Sequence, residues 1–172
     1  MKRVALMTAV LTMMSLLASL GWGDRGRDAL AAGLLDPVLG LDHFMVLLGV
    51  GLWASQWGGT AQWALPAAYL LGTPLGFVLA AGQPPFPLID ALVHVLILGS
   101  LLLIAGALVV PLRLPMREAA GTVAMFGGCH GYVHRLEAVS DLPLLQGLGV
   151  MSASAVLLVL GVGLVQALPK PG

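Results

Sequence analysis

LIDALVHVLILGSLLLIAGALVV, residues Leu88–Val110, decides the fold. A helix of this length rises about 35 Å, enough to cross a hydrocarbon core of about 30 Å. Only Asp90 and His94 are ionisable in it, and it holds no Lys or Arg. Four more apolar stretches flank it, at about Ala29–Trp57, Trp63–Ala81, Ala119–Val139 and Leu144–Leu168. The separators are turn and breaker sequences: Gly58–Gly59–Thr60, Gly82–Gln83–Pro84–Pro85, Pro111 to Pro115, and Ser140–Asp141–Leu142–Pro143. Gly and Pro at such positions stop helices rather than continue them.

Ahead of these stretches, Lys2 and Arg3 precede an apolar run from Val4 to about Gly21. A basic start followed by an apolar core is the pattern of a secretory signal peptide. Gly21 and Gly23 offer small residues for cleavage, but no Ala-x-Ala is present, so an uncleaved signal anchor stays open. The expected fold is all-α: a polytopic transmembrane helical bundle of five spans after a signal peptide or signal anchor. Residues 1–23 form that segment and 24–172 a single transmembrane domain.

Composition agrees. The 172 residues are 59% hydrophobic and 9% charged, with mean hydropathy +0.98 and zero formal net charge. Soluble domains carry about 25% charged residues. An ordinary soluble enzyme is excluded, as is a nucleic-acid binder, which needs a basic face. Disorder needs the opposite composition. A single cysteine, Cys129, rules out a disulfide framework and a Cys-rich zinc site. Lys2, Arg3, Arg113, Arg117 and Lys170 fall on one side of the alternating spans, and Arg25, Arg27 and Arg135 on the other. The first group marks the cytoplasm. Trp22, Trp53, Trp57 and Trp63 read as interfacial anchors. Glycines such as Gly127, Gly131 and Gly149 permit close helix packing.

The ionisable residues then gather. Asp36, Asp42 and His43 lie where their span enters from outside, as do Asp90 and His94. His130, His134 and Glu137 lie where theirs exits outward. All four histidines of the chain belong to this set. His130 and His134 are i,i+4 and share a helix face, and so do Asp90 and His94. Imidazole and carboxylate suit borderline divalent metals such as Zn, Ni and Co. Asp42, Asp90 and Glu137 are candidates to hold the second nitrogen of a ligating His. Ionisable groups inside a span point to function by default. Against this stand structural pairing between helices and snorkelling of Asp36, Glu137 and Arg135. Axial haem ligation by histidines of different helices is a further alternative, although neighbouring acids suit a cation better than a porphyrin. Cys129 reads first as inert packing.

Two blocks carry a family resemblance. Leu35-Asp36-Pro37-Val38-Leu39-Gly40-Leu41-Asp42-His43, continued by Gly51-Leu52-Trp53-Ala54, resembles a His-Pro-x-x-Gly-x-Asp-His signature. Phe126-Gly127-Gly128-Cys129-His130-Gly131-Tyr132-Val133-His134-Arg135-Leu136-Glu137 resembles Phe-x-x-x-His-Gly-x-x-His-Gly-x-Glu. Both belong to the HupE/UreJ family, and the resemblance covers most of residues 22–166. It implies a bacterial inner-membrane nickel or cobalt permease serving hydrogenase or urease maturation. Motif by motif it puts Asp42, His43, His130, His134 and Glu137 in the metal path. Asp36 stands where the family has His, Arg135 replaces a Gly, and the last family helix is expected to be missing. Asp90 and His94 stand near a family acid and are expected to complete the site. A non-transporting metal sensor or accessory protein is the other reading that the resemblance leaves open.

Overall fold

The computed structural model describes residues 2–82, 86–110 and 112–167, without the side chains of residues 2–5 and 7. The breaks expected at Gln83–Pro85 and Pro111, and the side chains of Lys2, Arg3 and Lys170, lie outside the described residues. The described chain is all helical: α1 (Lys2–Leu20), α2 (Gly23–Leu39), α3 (Leu41–Trp57), α4 (Ala61–Ala80), α5 (Pro87–Val109), α6 (Met116–Leu136) and α7 (Pro143–Ala167).

Helices α4, α5 and α7 are long and apolar enough to cross a membrane, within a residue or two of the expected stretches. The stretch expected at Ala29–Trp57 is not one straight helix. It is α2 and α3, bent by 75° and counting as a fourth span only if taken together. Two residues cause the break. Pro37 removes a backbone donor in the last turn of α2. Gly40 then leaves helical geometry at φ −74°, ψ 107°, and α3 restarts with the Phe44 N–H donating to the Gly40 carbonyl. The 21-residue α6 is too polar to count by composition, because it carries Arg117, Glu118, His130, His134 and Arg135.

Lipid gives helices no hydrophobic reason to associate, so close packing over small residues carries the bundle. The α4–α6 seam shows how. A Cβ on Gly72 would strike the Ala124 carbonyl, and one on Gly76 the Gly128 carbonyl. From the other side, Gly127 rests on Tyr69 and Gly131 on Thr73. Each pair steps four residues along both chains, so α4 and α6 run parallel. Helix α7 forms similar contacts, with α2 at Gly33 and Gly149 and with α3 at Gly51 and Gly161. Helix α1 lies on α7 through a buried Ser15 Oγ to Ser152 Oγ hydrogen bond of 2.8 Å.

The four tryptophans differ in burial. Trp22 is exposed, but Trp53 is fully buried. Its indole N–H and that of Trp57 both donate to the Leu112 carbonyl, at 3.3 and 3.2 Å. Beyond the end of α5 this carbonyl lacks a helical partner, and two indoles, one buried and one half-buried, satisfy it.

Candidate metal centre

The bend at Gly40 aims two half-helices at the end of α6. His43, in the first turn of α3, meets His130 and His134, which stand one turn apart on α6. Ring centroids are 4.6 Å apart for His43–His130 and 4.5 Å for His43–His134. All three are buried, His130 completely. Gly40 lets the turn close, since a Cβ there would lie 3.2 Å from His43 Nδ1 and 3.5 Å from Asp42 Oδ1.

Each imidazole has its Nδ1 occupied. His43 Nδ1 donates to Asp42 Oδ1 at 3.0 Å, and His134 Nδ1 to Asp36 Oδ2 at 2.9 Å. His130 Nδ1 donates to the Phe126 carbonyl one turn earlier, at 2.9 Å. A neutral imidazole protonated at Nδ1 carries its lone pair on Nε2. The Nε2 atoms of His43 and His130 are buried without a hydrogen-bond partner. Buried polar atoms are rarely left so. Carboxylates or carbonyls behind Nδ1 fix the tautomer and raise the basicity of the nitrogen that binds a metal. Among the described residues, however, no group of three or more His, Cys, Asp or Glu side chains is arranged to hold a metal ion. The rings stand edge to face and tilted, so they are gathered but do not converge.

A vestibule of about 520 Å³ opens beside the cluster, with Asp36, Gly40, Glu137 and Gln146 in its wall. Asp36 therefore faces the vestibule and holds His134 at once. Behind the cluster, the Tyr69 ring lies 5.7 Å from His130.

The model of the family described as HupE / UreJ protein matches residues 6–171. The chain belongs to the HupE/UreJ family. Protein HupE of Rhizobium leguminosarum bv. viciae is 32% identical over 142 residues, which are 80% of this chain and 70% of that protein. No solved structure matches the chain.

In this HupE/UreJ chain the structure brings together Asp36, Asp42, His43, His130 and His134. It does not bring Asp90 and His94 to them. His94 is exposed on α5, and its Nδ1 donates to the Asp90 carbonyl at 2.7 Å. The Asp90 carboxylate accepts from Tyr132 on α6 at 3.2 Å. Among the described residues no hydrogen bond or ring contact joins either to the histidine cluster. The physical reason lies in α6, whose i,i+4 histidines face α3 while Tyr132 turns toward α5. Glu137 caps α6 and reaches only the vestibule wall. Cys129 packs among Val93, Ile97 and Val133, away from the imidazoles. Arg135 turns from the cluster to the Phe77 ring, 5.8 Å from its centroid.

Two site features escaped the sequence reading. Tyr69 was a faint signal, a phenol in the middle of an apolar stretch. Gln146, buried at the vestibule wall, accepts from the Ser140 N–H at 3.1 Å and gave none.

Proposed function

We propose that this HupE/UreJ protein is an inner-membrane nickel or cobalt permease, or a metal-binding accessory protein, of hydrogenase or urease maturation. Its basic, apolar start serves as signal peptide or signal anchor. The cargo ion binds near the external face to His43, His130 and His134, with Asp42 and Asp36 behind them. The observation that carries this reading is the pair of buried, unpartnered Nε2 atoms beside Nδ1 atoms already tied to oxygen. Nitrogen donors backed by carboxylates suit nickel and cobalt better than hard cations. The vestibule offers Asp36 and Glu137 to an arriving cation. The ion is then received by His134, reaches His130 by way of His43, and sheds water on the way.

The test is uptake of nickel and of cobalt at limiting concentration by cells expressing the chain, against an empty vector. Metal content of the purified protein is measured alongside. Uptake above the vector is expected, with metal bound. Bound metal without uptake selects the accessory role. Neither uptake nor bound metal, or a Soret band from haem, defeats the proposal.

Asp36→Asn should keep all three imidazoles but lose the carboxylate behind His134. We expect nickel affinity to fall by about 10–100-fold, the usual effect of losing such a partner. Isothermal titration of the purified variant reads it, and unchanged affinity would remove Asp36 from the site.

A further inference from the structure

Tyr132 lines a groove that the histidine cluster does not use and joins it to Asp90, with His94 one turn further along α5. The groove measures about 690 Å³ between α4, α5 and α6. Its floor is the glycine seam of Gly72, Gly76 and Gly128, and Leu79, Val93 and Met125 wall it. Tyr132 and Cys129 also line it. Space with such walls stays dry, and in a bilayer the material at hand to fill it is an acyl chain.

The polar end says which lipid. The Tyr132 hydroxyl donates to Asp90 Oδ1, so the carboxylate has one neutral donor. Among the described residues no cation pairs with it, and an acid within a span is costly unless paired. One turn along the same face of α5, the exposed His94 has its Nδ1 tied to the Asp90 carbonyl. Its Nε2 remains for a ligand. An anion and a hydrogen-bonding imidazole side by side complement a zwitterion whose cation carries N–H donors.

The geometry points to a phosphatidylethanolamine site. One acyl chain lies in the groove, and the ammonium donates one N–H to the Asp90 carboxylate and another to the lone pair of His94 Nε2. Phosphatidylglycerol brings no cation to Asp90. Phosphatidylcholine brings one without N–H donors.

Cys129 is the only cysteine of the chain and lies in the groove wall, so its alkylation reports occupancy. The full-length protein is placed in nanodiscs of phosphatidylethanolamine, phosphatidylglycerol or phosphatidylcholine and treated with N-ethylmaleimide. Alkylation should be about tenfold slower with phosphatidylethanolamine, the weight of one charge-assisted hydrogen bond. Asp90→Asn should remove that difference. Ile89→Trp, which fills the groove, should slow the reaction in all three lipids. Native mass spectrometry of the wild type from mixed-lipid membranes gives a second reading, with one phosphatidylethanolamine retained in preference to phosphatidylglycerol. Equal alkylation in all discs together with equal retention of the two lipids overturns the site. Protection by phosphatidylethanolamine that survives Asp90→Asn overturns the role of the carboxylate.

Discussion

Cells expressing His43→Ala should take up nickel no faster than cells carrying an empty vector. His43 touches both other imidazoles, with centroids 4.6 and 4.5 Å away, and in the proposed site it would supply the nitrogen donor from α3. Its loss removes one donor and separates His134, beside the vestibule, from the fully buried His130. Loss of a mere supporting partner already costs about 10–100-fold in metal affinity, and removing a donor should cost more than the upper end of that range. The alanine leaves a small void at the mouth of the bend, so the variant should still reach the membrane in normal amounts. Uptake is therefore compared at equal protein. Cys129→Ala, which changes apolar packing outside the cluster, should transport as the wild type does. Wild-type uptake by His43→Ala would strip His43 of its assigned role.

Gly76→Leu should leave almost no folded protein in the membrane, whereas Gly99→Leu should accumulate normally. Overpacking costs about 1–3 kcal/mol when neighbouring side chains can shift. At Gly76 the obstacle is the backbone of Gly128, which no rotamer change removes. The two helices must part, and Gly72, Gly127 and Gly131 then lose their contacts as well. Gly99 faces open space on α5, with nothing within 4 Å of an added Cβ. Quantitative immunoblotting of membranes separates the two outcomes. Normal levels of Gly76→Leu would show that the seam tolerates separation.

Much of this was legible in the sequence because charge is scarce. Each acid or histidine within an apolar stretch stood out, and the i,i+4 spacing of His130 and His134 placed both on one face. The union of Asp36 with His134, 98 residues apart, could be suspected only from shared depth. The bend at Gly40 was written in Pro37 and Gly40, but apolar content runs unbroken through them, so hydropathy reads one span where the backbone makes two helices. Asp90 and His94 share that depth, and depth alone could not tell which side of α6 they would meet. Rotation about the helix axis decided it, and one sequence with no partner helix in view does not fix that rotation. Trp53 shows the same limit from the other side. An indole near the end of a stretch reads as an anchor until the loop carbonyl that claims it is known.

The glycine seam has a mechanical consequence. Backbone resting on backbone leaves no slack, so α4 and α6 can neither slide nor roll past one another and must move as a single plate. His130 and His134 ride on that plate. Asp36 and His43 stand on opposite sides of the joint at Gly40. An ion among these residues would lie between a wall locked by backbone contact and one interrupted by the bend at Gly40, and any alternation of access would fall to the bend.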